Sequence, residues 1–257
     1  MLKKRIKNKE KLIGMYLHFS DLSISRIAGL CGYDYVWVDM EHSYLNTETL
    51  MGHIYALRTT GAHVIVRVPQ DDLTFTKKVL EMGVDGIIFP MVKTPEEIDR
   101  IVGYSLYPPK GTRGFGPMGA IDFGFKPAFE YTKNDEENLC RFIQIEDKAT
   151  IENLDEIMKN PYIDGYIFGP NDLSASYGML GEPFADKITE VISEAIKKLH
   201  ANGKYVAIAS GGCTEEVISH WSSFGADMIC AGADVDFMRE GARRNKENLE
   251  RIFKGKG

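Results

Sequence analysis

The chain has 257 residues, is 44% hydrophobic and carries a formal net charge of −6, with a sequence pI near 5.6. A mildly acidic chain has no general field that would attract nucleic acid or an anionic membrane, so neither is expected as a partner. The length suits one large domain over residues 1–257, and no apolar run approaches the roughly 18 residues that a membrane span needs.

The N-terminal region contains the one basic cluster, Lys3 to Lys11. We interpret it as a solvated helix or tail rather than a nucleic-acid-binding arm. This region also lacks the apolar core of a secretory signal. Four cysteines are spread along the chain without a CxxC motif, which indicates free thiols rather than a disulfide framework. We therefore expect a cytoplasmic protein.

Short β-branched and apolar runs alternate with segments of helical periodicity along the chain. The predicted strands are residues 12–17, 35–40, 63–68, 86–91, 140–146, 165–169, 205–210 and 227–232. The predicted helices lie at 22–32, 47–61, 74–83, 95–107, 149–160, 188–203, 214–225 and 236–255. Several of them end in glycine just before the next strand, as expected where a left-handed residue terminates a helix.

Eight strand–helix units in a chain of this length predict an α/β fold, a (β/α)8 TIM barrel in a single domain. A doubly wound open sheet is the alternative, but its nucleotide-binding fingerprint is absent, because the glycine-rich stretch 111–119 does not stand between a strand and a helix. The interval 108–139 predicts neither a clean helix nor a strand. We expect it to serve function or an interface, the alternative being an insertion without either role.

In a barrel of this kind the active site lies at the C-terminal ends of the strands. Polar and ionisable side chains follow the predicted strands 2, 3, 5 and 6. They are Asp39, Glu41, His42, Arg67, Gln144, Glu146 and Asp172. Glu146 and Asp172 are expected side by side on consecutive loops, where two carboxylates suit Mg²⁺ or Mn²⁺ better than zinc. The alternative for Asp172 is a helix N-cap.

His42 is the only histidine that we predict at a strand end, and an imidazole can move a proton near neutral pH. His18 follows strand 1 and is a candidate to line the mouth of the barrel. The alternative for His42 is a loop histidine without a role. Arg67 is predicted to hold a carboxylate or to stabilise an enolate oxygen. A salt bridge from Arg67 to Asp39 is compatible with that role.

Six motifs together resemble the HpcH/HpaI family of metal-dependent, class II pyruvate aldolases. They are WVDMEHSYLN, VIVRVP, GIIFPMVKTPEE, YPPKGTRGFG, FIQIED and GYIFGPNDLSASYG. The likeness runs from about Ile13 to Val235. It implies a TIM barrel that reversibly cleaves a 4-hydroxy-2-oxo acid into pyruvate and an aldehyde, through a pyruvate enolate stabilised by the metal.

The resemblance also implies a role for each matching residue. Glu146 and Asp172 match the metal ligands, for Mg²⁺, Mn²⁺ or Co²⁺, and His42 matches the catalytic base. Arg67 matches the arginine that binds the ketone oxygen. Glu81 stands where the family has an acid paired with its histidine, although a shorter Asp is common there.

Substrate-binding roles follow in the same way. Gln144 corresponds to a polar neighbour of the metal. The segment Gly169, Pro170, Asn171 and Asp172 would receive the pyruvate carboxylate on backbone N–H groups at a helix N-terminus. The family forms trimers or hexamers with exchanged C-terminal helices, so the chain is expected to be a homo-oligomer, with an extra N-terminal helix and a C-terminal helix that covers its own barrel or a neighbour's.

Three other functions compete with this one. A related lyase of the phosphoenolpyruvate/pyruvate superfamily would act on an acyl-CoA or a phosphonate. A Schiff-base aldolase would need a lysine at a strand end, for which Lys93 is the nearest candidate. A non-catalytic binding barrel would have lost the catalytic base or a metal ligand. The residues that match these roles are all present: His42, Arg67, Glu146 and Asp172.

Overall fold

The protein forms a closed barrel of eight parallel strands, seen in a computed structural model that describes residues 1–255. The strands are β1 (Leu12–Leu17), β2 (Tyr35–Asp39), β3 (His63–Arg67), β4 (Gly86–Phe89), β5 (Cys140–Ile145), β6 (Gly165–Phe168), β7 (Val206–Ala209) and β8 (Met228–Ala233). Each strand pairs with its neighbour in chain order, and β8 closes on β1. The predicted TIM barrel is confirmed, with small shifts at the strand ends.

Helices surround the barrel, and the N-terminal one closes its lower end. They are α1 (Leu2–Lys7), α2 (Leu22–Leu30), α3 (Thr47–Arg58), α4 (Leu73–Met82), α5 (Pro95–Gly103), α6 (Ala128–Lys133), α7 (Asp135–Asn138), α8 (Lys148–Glu152), α9 (Leu154–Ile157), α10 (Pro170–Ser176), α11 (Asp186–Ala201), α12 (Glu215–Ser222) and α13 (Asp234–Ile252). None of the helices within residues 1–255 has the length and apolar character to cross a bilayer. The four cysteines are all free.

The interval 108–139 was expected to contain no clean helix, and this expectation is wrong. It contains an irregular 3₁₀ segment (Gly119–Gly124), α6 and α7. A buried ion-pair network holds this region in place: Asp135 accepts from Arg113 Nη1 at 2.5 Å and from Arg141 Nη2 at 2.9 Å. Such short helices depend on tertiary contacts, which periodicity does not reveal.

The N-terminal helix is more than a solvated tail. Leu2 and Ile6 are buried and join the cluster that fills the barrel interior, together with Trp37 and Phe142. Lys3 is also buried; its Nζ lies 3.0 Å from Asp164 Oδ2. Helix α1 therefore closes the lower end of the barrel, and the upper end, where the strands end, remains open.

Candidate active site

A cavity of about 300 Å³ opens at the C-terminal ends of the strands. Eight of the nine predicted site residues line it. They are His42, Arg67, Gln144, Glu146, Gly169, Pro170, Asn171 and Asp172. The remaining one, Glu81, lies elsewhere. The rule that strand ends carry the site thus selected residues that share one cavity.

Glu146 follows β5 and is buried at the base of the cavity. Its Oε1 accepts from Gln144 Nε2 at 2.5 Å, and its Oε2 accepts from the backbone N–H of Met91 at 3.1 Å. Burial raises the pKa of Glu146 to about 7, while Arg67 and the Met91 N–H oppose that rise and Asp172 adds to it. The carboxyl group is thus fixed in direction and poorly solvated.

Met91 reaches Glu146 from an unfavourable backbone conformation. Its φ is +54°, in the left-handed region that a non-glycine residue seldom occupies and that costs about 1–3 kcal/mol. This turn after β4 aims the N–H at the carboxylate. Backbone strain at this point is therefore coupled to the orientation of Glu146.

Asp172 lies at the exposed rim of the cavity, in the first turn of α10. The N-cap of this helix is Gly169, so the alternative assignment of Asp172 as the cap is wrong. The carboxylate is not used in capping and lines the same cavity as Glu146.

The backbone donors at the start of α10 are fewer than predicted. The N–H of Gly169 donates to Ile145 O at 3.2 Å, and Pro170 has no N–H. The groups at the helix start that remain for an anion are those of Asn171 and Asp172, since the first N–H groups of a helix have no intrahelical partner.

The donor set fits a hard divalent cation. Two carboxylates, of Glu146 and Asp172, share the cavity, and the buried Oε1 of Gln144 has no hydrogen-bond partner. Within residues 1–255 no group of three or more His, Cys, Asp or Glu side chains is arranged to hold a metal. Water and substrate oxygens would have to complete the coordination, as is usual for Mg²⁺ or Mn²⁺ but not for zinc.

Arg67 ends β3 and is held by Asp39, which ends β2. Its Nε donates to Asp39 Oδ1 at 3.0 Å and its Nη2 to Asp39 Oδ2 at 2.5 Å. The guanidinium also lies over the Trp37 ring, with 5.4 Å from Cζ to the ring centroid. Its Nη1 makes no hydrogen bond with the described residues, so this group is left for a ligand in the cavity.

Asp39 also fixes the loop that follows it. Its Oδ1 accepts from the backbone N–H groups of Glu41 at 3.0 Å and His42 at 3.3 Å. Burial opposes ionisation of Asp39, but its contacts with His18 and Arg67 outweigh burial and hold its pKa below the usual range. The carboxylate therefore organises both Arg67 and the backbone of His42.

His42 lies at the mouth of the cavity with 65% of its side chain exposed. Its Nε2 is 3.6 Å from Glu41 Oε2, and burial raises the pKa of Glu41. The imidazole is accessible to a ligand and is not locked by close hydrogen bonds. Its predicted role as a base stays a prediction.

Glu81 does not join this site within one chain. It lies on α4, where its Oε1 is 3.5 Å from Arg113 Nη2. Burial raises the pKa of Glu81, and the guanidinium opposes that rise. The expected pair with His42 is not formed among the described residues, because the carboxylate turns towards the buried cation of Arg113.

His18 was named as a candidate to line the mouth of the barrel, and the structure confirms that position, but Asp234 beside it was missed. His18 follows β1 and lines the cavity; Asp234 follows β8 and lies 3.5 Å from His18 Nδ1. Applying the same rule to the last strand would have selected Asp234, since β8 is the neighbour of β1 in the closed barrel.

Comparisons with known proteins give consistent results. The family model described as HpcH/HpaI aldolase/citrate lyase matches residues 12–232. A hydroxypyruvate/pyruvate aldolase from Deinococcus radiodurans is 31% identical over 231 residues, which are 90% of this chain and 83% of that protein.

Solved structures agree over almost the whole chain. An HpcH/HpaI aldolase from Desulfitobacterium hafniense superposes with a TM-score of 0.90 at 25% identity, covering 98% of this chain and 97% of the other. The citrate synthase SbnG superposes with a TM-score of 0.85 at 27% identity, covering 97% of each chain.

Proposed function

Since the chain belongs to the HpcH/HpaI aldolase/citrate lyase family, and is therefore an enzyme that acts on carbon–carbon bonds, we propose a divalent-metal-dependent aldolase. It reversibly cleaves a 4-hydroxy-2-oxo acid into pyruvate and an aldehyde. We expect it to act in the cytoplasm as a homo-oligomer, a trimer or hexamer.

One observation carries the proposal. The carboxylates of Glu146 and Asp172 share a cavity with Arg67, whose guanidinium is already oriented by Asp39. Hard anionic oxygens beside a fixed cation suit a ligand that bears a ketone and a carboxylate. A Mg²⁺ or Mn²⁺ ion bound there would supply Lewis acidity for the 2-oxo group.

His42 and Arg67 carry out the proton transfer and the charge stabilisation that the reaction also requires. His42 takes the proton from the 4-hydroxyl group, the bond between C3 and C4 breaks, and its electron pair enters the pyruvate enolate while the aldehyde leaves. Arg67 Nη1 donates to the oxygen on which that charge develops. The proton balance closes when His42 releases the proton that it took and C3 of the enolate gains one, which completes pyruvate.

The pyruvate carboxylate would meet the two free N–H groups of Asn171 and Asp172, at the positive end of the α10 dipole. Gln144 holds one oxygen of Glu146 and keeps that carboxylate from rotating. In this arrangement the part of the substrate that becomes the aldehyde lies near the mouth of the cavity, beside His42.

The decisive experiment is a pyruvate-release assay on a panel of 4-hydroxy-2-oxo acids, with chelator and with Mg²⁺, Mn²⁺ or Co²⁺ restored. We expect chelation to abolish release and the metal to restore it, with metal-dependent competitive inhibition by oxalate, an enolate analogue. Turnover that survives full chelation would contradict the proposal.

Two variants separate the roles within that assay. His42→Ala should lower kcat by roughly 100-fold or more while metal binding persists, because only proton transfer is lost. Glu146→Ala should lose metal binding and turnover together.

A second candidate is a related lyase of the phosphoenolpyruvate/pyruvate superfamily that acts on an acyl-CoA or a phosphonate. The likeness to a citrate synthase at 27% identity is the observation in its favour. Activity on acyl-CoA thioesters or phosphonates, but not on free 4-hydroxy-2-oxo acids, would favour it.

A further inference from the structure

His18 occupies a position in the cavity wall that the proposed reaction does not use. Its Nε2 lies 3.5 Å from Asp39 Oδ2, and its Nδ1 lies 3.5 Å from Asp234 Oδ1. The imidazole therefore stands between two carboxylates, one at the end of β2 and one at the start of α13. Each ring nitrogen faces one of them at ion-pair distance.

Asp234 is prepared for this contact by the backbone. Its Oδ2 accepts from the N–H groups of His18 at 3.0 Å and Phe19 at 2.8 Å, and its Oδ1 accepts from that of Val235 at 2.8 Å. Asp234 is buried, and its pKa is lowered because these donors and the His18 ring outweigh burial. The carboxylate is thus a fixed anion beside the ring.

The surrounding charges favour the protonated ring. Asp234 first and then Asp39 raise the pKa of His18 to about 9 from its usual 6.5, against the opposing effect of burial. Arg67 is a cation on the far side of Asp39. The ring of His53 is a further titratable group within electrostatic reach of Asp234. The neighbour of His18 on β1 is Tyr16, whose ring centroid is 6.3 Å away. Both carboxylates therefore favour the protonated form of the His18 ring.

We propose that His18 is a positioning residue whose imidazolium ties the Asp39 carboxylate to Asp234, so that Asp39 keeps both Arg67 and the backbone of His42 in place. Asp39 Oδ2 is shared by His18 and Arg67, and Oδ1 by Arg67 and the loop N–H groups. The role of Arg67 and His42 in turnover rests on the proposed function.

This arrangement also separates the two histidines of the cavity. Both ring nitrogens of His18 face carboxylates, so neither is available to accept a proton from a substrate. His42 has an exposed ring and only a distant contact to Glu41. The two histidines of the cavity therefore differ in their surroundings: His18 lies between two carboxylates, and His42 is exposed at the mouth.

The first test is a measurement that requires no turnover. In protein labelled with ¹⁵N-histidine, one ring should titrate near pH 9 in the wild type, be missing in His18→Gln and titrate lower in Asp234→Asn. The proposal is overturned if no ring titrates above its usual range.

The second test is kinetic and uses the metal-loaded enzyme with pyruvate and an aldehyde. His18→Gln should lower kcat/KM by about 10- to 100-fold, mostly by raising KM for pyruvate, because Arg67 is no longer held in place. In the wild type, kcat/KM should fall as pH rises through about 9, where the ring loses its charge, whereas His18→Gln should lack that limb.

The matched control is His200→Gln, since His200 Nε2 lies 2.9 Å from Asp227 Oδ2 outside the cavity. It removes a histidine–aspartate pair of the same kind and should leave the kinetics unchanged. Wild-type kinetics and pH profile in His18→Gln would refute the inference. A wild type without activity on any 2-oxo acid would instead refute the proposed function, and the NMR titration would still decide the state of His18.

Discussion

At the scale of single residues, the site depends on space as much as on charge. Gly169 lies where a side chain would collide with Glu146: an added Cβ would lie 2.7 Å from both Cγ and Oε1 of that carboxylate. The glycine backbone is not in the left-handed region, since its φ is −106°. Its lack of a side chain is therefore needed for the approach of β6 to Glu146.

We predict that Gly169→Ala weakens metal binding by about tenfold or more, because the methyl group displaces the Glu146 carboxylate from its hydrogen bonds with Gln144 and Met91. Isothermal titration with Mn²⁺ would measure this. Gly103→Ala is the control, because nothing lies within 4 Å of an added Cβ there. Equal Mn²⁺ affinity in the two variants would show that Glu146 is not the ligand or is free to move.

At the scale of elements, the space inside the barrel limits the size of the side chains that neighbouring strands can carry. Gly14 in β1 faces the ring of Tyr35 in β2, and a Cβ at Gly14 would lie inside van der Waals distance of that ring. Tyr35 is fully buried in the interior cluster, so its ring has no open space to enter. A small residue in β1 thus allows a large one in β2.

We predict that Gly14→Ala lowers the free energy of unfolding by about 1–3 kcal/mol, the usual cost of overpacking a core. Urea denaturation followed by circular dichroism would measure it. Gly61→Ala, where an added Cβ meets nothing within 4 Å, should differ little from the wild type. Unchanged stability in Gly14→Ala would mean that the Tyr35 ring moves without cost.

The elements predicted from sequence are those whose signal is local. Continuous apolar runs identified all eight strands, and with them the residues at the ends of β2, β3, β5 and β6. The helices of the interval 108–139 were missed because their formation depends on ion pairs between residues far apart in sequence, such as Arg113 and Asp135. The contact of His18 with Asp234 was missed for the same reason, since it requires the barrel to close.

The direction of a side chain is equally hidden from sequence. Glu81 was expected to pair with His42 from its place in the helix after β3. In the structure the buried guanidinium of Arg113 is its nearest cation. Spacing located the helix correctly but did not determine which of two partners the carboxylate would contact.

At the scale of the whole molecule, α13 is incompletely packed. It has 19 residues and a length of about 28 Å, yet Asp234 is its only buried residue. Large apolar side chains along it are exposed, among them Met238, Leu249 and Ile252. A helix of this kind gains most of its stability from packing an apolar face, which this chain alone does not provide.

We predict that the protein is a homo-oligomer, a trimer or hexamer, whose mass by light scattering is a multiple of the 28.9-kDa chain. Changing Leu249 and Ile252 together to Glu should shift the population towards smaller species, because charges would enter the apolar contact. Glu247→Lys, on the opposite face of the helix, should leave the mass unchanged. A monomeric wild type at micromolar concentration would contradict the expectation.

The closed lower end of the barrel has a consequence for the route that ligands take. With Leu2 and Ile6 packed into the interior, that end of the barrel is filled, and the cavity opens where the strands end. Under the proposed function, reactants and products enter and leave on the side where His42 is exposed, and none of them passes through the barrel.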